Sequence, residues 1–272
     1  MTSQEEHAEP DAARPVRRCT VDRLEVAVYR DRTATGRAAG TAAADVLRRA
    51  LADRAQVRIM FAAAPSQLEM LHTLRTAPGI DWSRVVAFHM DEYLGLAADA
   101  PQTFGRFVTD ELVAAVRPGQ VHLIAPDGDP AGSVRRYAEL LASAPLDIVC
   151  LGIGDNGHLA FNDPPDADFD DPEPVRTVEL SEDSRVQQVG DGCFARLDDV
   201  PRQAITVTIP TLMSARQLVC TAPGESKRAA VARTLTGPVD ASCPASVLRR
   251  HPNCTLYVDT AAYGDGADAG VR

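Results

Sequence analysis

A chain of 272 residues with 45% hydrophobic side chains can bury one large core. Its formal charge of −10 excludes nucleic acid as a partner, because phosphate backbones are held through basic patches and the sequence has none. No apolar run reaches the length of a membrane span, and the first residues (Met-Thr-Ser-Gln-Glu-Glu-His) are acidic where a secretory signal is basic; this predicts a cytoplasmic protein with no membrane partner.

Residues 1–20 are charged, Pro-containing and aperiodic, and read as a disordered N-terminal tail. Residues 24–29 read as a strand, 34–53 as an Ala/Arg-rich amphipathic helix, 57–62 as a second strand, and a helix begins near Ser66. Then come a strand at 84–89, a helix at 102–116, a short strand at 121–124, a helix at 133–142 and a buried strand over 146–151. The stretch 166–201 breaks this rhythm with acids, prolines and glycines, as a lid or binding loop following a site does. Strands at 204–209, 217–221 and 255–258 follow, with helices from about Ser226 and Ala245, and 261–272 reads as a C-terminal tail. Repeated strand-then-helix order predicts a single α/β domain over 21–260, a doubly wound, largely parallel sheet with helices on both faces. The six cysteines form no Cys-x-x-Cys pair and read as free thiols.

Three segments carry chemistry. At the end of the third strand, Asp91 and Glu92 adjoin in an apolar context, Phe88-His89-Met90-Asp91-Glu92-Tyr93. Successive residues on extended backbone point to opposite faces, so one acid can serve a cleft as a general base while the other pairs elsewhere. A structural ion pair or a helix cap is the plainer reading of such a pair. After the strand at 146–151 comes Gly152-Ile153-Gly154-Asp155-Asn156-Gly157-His158, followed by Asn162 and Asp163. A histidine on a glycine-rich turn at a strand's carboxyl end, among orienting polar groups, reads as a proton-transfer site. Lys227, the only lysine in the chain, opens a helix after a strand, where amides and an ammonium suit phosphate or carboxylate.

Taken together, Met90 to Tyr93 with Gly95-Leu96, Gly152 to His158 with Ala160-Phe161-Asn162, Gly224 to Lys227, and Pro244-Ala245-Ser246 with Leu248 and His251-Pro252 resemble the glucosamine-6-phosphate deaminase (isomerase) family, over roughly residues 25–260. The resemblance implies conversion of a small-molecule amino-sugar phosphate to a ketose phosphate and ammonia, with no metal or organic cofactor. It implies that His158 opens the pyranose ring, that Asp91 carries a proton from C2 to C1, and that Asn156 and Asp163 complete the catalytic set. Glu92, Ala64, Ser66, Gly157, Arg185 and Lys227 are the expected substrate contacts. Assembly into a homo-oligomer is compatible with this reading.

The chain departs from the family pattern at four places. Asn156 stands where aspartate is usual and Asp163 where glutamate is usual, with Asp155 a possible compensation. The phosphate loop reads Ala62-Ala63-Ala64-Pro65-Ser66-Gln67 in place of a Gly- and Ser/Thr-rich run. The lid arginine falls at Gln187-Gln188-Val189, with Arg185 the nearest cation. Two alternatives stand beside the deaminase: a sugar-lactone hydrolase resembling 6-phosphogluconolactonase, and a non-catalytic sugar-phosphate sensor.

Overall fold

The computed structural model describes residues 14–126 and 128–264. Its strands are, in chain order, β1 (Arg17–Val21), β2 (Leu24–Tyr29), β3 (Val57–Phe61), β4 (Val85–His89), β5 (Asp91–Tyr93), β6 (Gln120–His122), β7 (Ile148–Leu151), β8 (Val175–Glu179), β9 (Gln203–Val207), β10 (Gln217–Thr221) and β11 (Cys254–Asp259). Eight of them form one sheet in the order β1-β2-β11-β10-β7-β3-β4-β6. Only β1 and β2 pair antiparallel in it. Strands covered on both faces must be apolar almost throughout, which is why β3, β4 and β7 read Val-Arg-Ile-Met-Phe, Val-Val-Ala-Phe-His and Ile-Val-Cys-Leu and are buried at every position.

The helices are α1 (Arg32–Asp53), α2 (Leu68–Thr76), α3 (Phe104–Val108), α4 (Ala114–Val116), α5 (Pro130–Ala142), α6 (Glu182–Gly190), α7 (Ile209–Met213), α8 (Arg228–Thr236) and α9 (Thr260–Tyr263). Alternate strand residues face different layers. Val26, Val28, Val149, Leu151 and Leu256 pack with Tyr137 and Leu141 of α5 and Val231 and Leu235 of α8. Ala27, Tyr29, Ile148, Cys150 and Tyr257 pack with Leu47 of α1 and Met70 and Leu74 of α2. On that second face α1 and α2 nearly touch: a Cβ on Gly40 would lie 2.6 Å from the Cβ of Thr73, so the helices close only because the position is glycine. Asp31 starts α1 by accepting the Ala34 N–H at 2.8 Å.

The structure differs from the sequence expectations at both ends of the chain and at the end of β9. Arg17–Val21, which falls mostly in the expected N-terminal tail, is the edge strand β1, paired with β2 from Arg17↔Val28 to Val21↔Leu24. Among the C-terminal residues, Thr260–Tyr263 form α9, begun by an Asp259 cap on the Ala262 N–H. The rest of both expected tails, 1–13 and 265–272, lies outside the described residues. The expected strand at 204–209 ends at Val207, because Pro210 sets the first turn of α7.

The segment 166–201 is irregular at both ends, and between them lie β8 and α6. Val175-Arg-Thr-Val-Glu alternates between inward and outward side chains, and β8 joins β9 and β5 in a second, antiparallel sheet of order β5-β9-β8. The chain therefore leaves the main sheet at the end of β4 and enters the small one at Asp91. Among the described residues, no helix is long and apolar enough to cross a membrane.

Candidate active site

From β3 the chain winds outward to β4 and β6, then returns beside β3 as β7 and winds the other way to β10 and β11. The crevice beyond the carboxyl ends of strands at such a reversal is where open α/β sheets bind ligands. An open cleft lies there. It is lined by Ala62, Ala63, Ala64 and Ser66 after β3, Met90 and Asp91 after β4, Gly152 to Gly154 and His158 after β7, and Lys227 after β10. Gln187 and Gln188 of α6 and the ring of Phe161 also line it.

His158 is 8% exposed and held from several sides. Its backbone N–H donates to Asn156 Oδ1 at 3.0 Å, and Gly157 turns the chain at φ +94°. Nδ1 lies 3.1 Å from Asp163 Oδ1 and 3.0 Å from Ser184 Oγ. A carboxylate so placed accepts the Nδ1 proton and leaves Nε2 as the nitrogen that exchanges protons. The Ser184 hydroxyl and the Asn156 amide N–H both donate to that same Asp163 oxygen, at 2.5 and 2.9 Å. Burial pushes the Asp163 carboxyl up, but the hydrogen bond and charge of His158, with the Asn156 and Ser184 bonds, hold it below the usual carboxylate range.

The imidazole lies flat against Gly154, where an added Cβ would sit 2.2 Å from Cε1 and 2.3 Å from both nitrogens. Gly154→Ala must therefore displace the ring. With the imidazole taking part in turnover as expected from the sequence, kcat should fall about a hundredfold, the cost of a displacement of about an ångström. Steady-state kinetics beside a thermal melt checks this; unchanged kcat would mean that the ring position is not critical.

Asp91 opens β5, where it pairs with Thr206 of β9. The Thr206 hydroxyl accepts the Phe161 N–H at 3.0 Å, and Asn162 donates to the carbonyl of Val207 at 2.9 Å. One strand of the small sheet thus fixes the Asp91 and His158 segments relative to each other. Asp91 is 7% exposed, and burial first, then the charge of Glu92, raises its carboxyl well above the ordinary value.

Residues 30–257 match the sequence model of the glucosamine-6-phosphate isomerases/6-phosphogluconolactonase family. The chain belongs to this family. A glucosamine-6-phosphate deaminase of an Exiguobacterium species is 39% identical over 184 residues, 67% of this chain and 70% of that protein. One from Listeria monocytogenes is 35% identical over 210 residues, 76% of this chain and 87% of the relative. Among solved structures, a monomeric glucosamine-6-phosphate deaminase superposes with a TM-score of 0.80 at 25% identity, covering 87% of this chain and 98% of that one. A 6-phosphogluconolactonase from Shewanella baltica gives 0.70 at 18% identity, covering 88% of this chain and 97% of its own, and shows the shared fold.

Within this isomerase/lactonase fold the expected site residues separate into two groups. Asp91, His158, Ala64, Ser66 and Lys227 line the cleft, and Asn156 and Asp163 contact His158 from behind. Glu92, expected at the substrate, does not line the cleft: its carboxylate accepts the N–H groups of Tyr93, Phe104 and Gly105 at 2.9, 3.1 and 2.8 Å and caps α3. That is the pleat at work, since Asp91 and its neighbour must face opposite ways. Arg185, expected to grip an anion, is buried and donates to the carbonyls of Leu197 and Val200, tying α6 to the segment after it. Gly157 does not line the cleft and shapes the turn instead. Asp155, the expected substitute for a missing aspartate behind His158, pairs with Lys227 Nζ at 2.6 Å.

Ser184 and Thr206 were not singled out by sequence, whereas Gln187 and Gln188, named at the place of the lid arginine, do line the cleft. Ser184 alone had a readable signal: Ser181-Glu182-Asp183 is a helix start, and the Ser181 hydroxyl does accept the Ser184 N–H at 3.1 Å.

Proposed function

We propose that this protein converts glucosamine 6-phosphate, or a close relative, and water to fructose 6-phosphate and ammonia. The observation that carries the reading is that a buried carboxylate and a carboxylate-backed imidazole line one cleft with an ammonium group. In this reading His158 moves a proton from the anomeric hydroxyl to the ring oxygen, which opens the ring and leaves an aldehyde at C1. The aldehyde acidifies the C2–H, and Asp91 takes that proton and delivers it to C1 through an enolamine. An iminium is left at C2; water adds there, and ammonia departs as the C2 carbonyl forms. Burial supports the role of Asp91, because a carboxyl raised above its ordinary value is a stronger base for a carbon-bound proton.

We take 166–201 as the lid of this site, since its helix α6 supplies Ser184 to the His158 pair and Gln187 and Gln188 to the cleft. A cytoplasmic setting fits the free state of all six cysteines. The experiment is a panel of amino sugars with and without the phosphate, and a sugar-phosphate lactone, scored for ammonia and ketose. The expected result is equal ammonia and ketose from the phosphorylated amino sugar. Lactone opening without ammonia would establish the hydrolase instead, and tight binding without turnover the sensor.

A further inference from the structure

Among the described residues, Lys227 is the only lysine or arginine lining the cleft, and Asp155 Oδ1 stands 2.6 Å from its ammonium. Burial of the two partners is unequal: the lysine side chain is 7% exposed and the aspartate side chain 41%. If one partner swings away, it is the carboxylate, which water can solvate on leaving. The lid offers no substitute charge, since Gln187 and Gln188 face the cleft with neutral amides and Arg185 is turned to carbonyls. The Asp155 N–H also donates to Gln187 Oε1 at 2.8 Å, so its backbone is held by a bond that does not involve the carboxylate.

We infer that Asp155 is a specificity-determining counter-ion that holds the anion position on Lys227 and yields it only to a more highly charged group. The inference rests on the amino-sugar phosphate reading. A hydroxymethyl end cannot compete for the ammonium, a carboxylate merely equals Asp155, and a phosphate with about two negative charges at neutral pH outbids it. The residue thus sets the charge threshold of the site and sharpens discrimination against uncharged and singly charged sugars.

The test is calorimetric titration of inorganic phosphate and of acetate into the wild type, Asp155→Asn and Asp155→Ser, each verified as folded by circular dichroism. Both variants are expected to bind phosphate about tenfold more tightly, and acetate by a larger factor, as the equivalent of one partly buried ion pair is released. In a Lys227→Met background the gain is expected to vanish. Unchanged or weaker phosphate binding in the folded variants, or the same gain without Lys227, would overturn the inference. Ammonia release by the wild type tests the parent reading separately: phosphate can tighten in an inactive protein, and a working deaminase can fail to respond at Asp155.

Discussion

Asp91→Asn is expected to lower kcat by about 10²–10⁴-fold, the usual worth of a positioned general base, while ligand affinity stays near that of the wild type. Asparagine keeps the shape and the β5 pairing with Thr206 but cannot accept a carbon-bound proton. The same substitution is expected to stabilise the protein at neutral pH. The folded-state value of Asp91 is raised by burial and by Glu92, so between the unfolded value of about 3.9 and that raised value the native state holds the extra proton. Native stability therefore falls as pH rises through this window, and a neutral side chain escapes the loss. For activity the sign is reversed: turnover falls as pH drops through the raised value, because the base becomes protonated. Melts across a pH series, with exchange of the C2 hydrogen into solvent, check both limbs. Near-wild-type turnover in the variant would remove Asp91 from the chemistry, whatever its effect on stability.

The core of the fold was open to reading because it is written in local pattern. Runs such as Ile148–Leu151 are apolar because both faces are covered, and Ala-rich α1 alternates buried and exposed positions along its length. What stayed hidden depends on partners distant in sequence. β1 is short and half exposed, and becomes a strand only by pairing with β2. β8 lies in a segment rich in acids and prolines, and its pairing with β9 bridges an intervening helix. At the site, the pleat argument required Asp91 and Glu92 to part, yet the α3 amides that claim Glu92 lie a dozen residues further on. Arg185 carried the right charge in the right neighbourhood, but carbonyls of the following loop absorb it. Asp155 and Lys227 are far apart in sequence, and the parallel neighbours β7 and β10 bring them together.

His158→Gln is expected to cost about 10²–10⁴-fold on a substrate that must open its ring, and far less on an analogue held open-chain. Glutamine can still hydrogen-bond to Asp163, whose other partners Asn156 and Ser184 remain, so the carboxylate is not left buried alone and the fold is expected to persist. What is lost is a group that changes charge. Asp163 lies below the ordinary carboxylate range and is ionised at every pH where the enzyme would be assayed, so it is poised to stabilise an imidazolium during ring opening. No such cation forms on an amide. The departure at Asn156 is thereby explained without a second carboxylate: Asn156 fixes the His158 backbone and one Asp163 oxygen, while Asp163 and Ser184 reach Nδ1 directly. Rates on cyclic and open-chain substrates, compared in wild type and variant, measure the separation. Equal losses on both would place His158 in the C2-to-C1 transfer as well, and would undo the division of labour between the imidazole and Asp91.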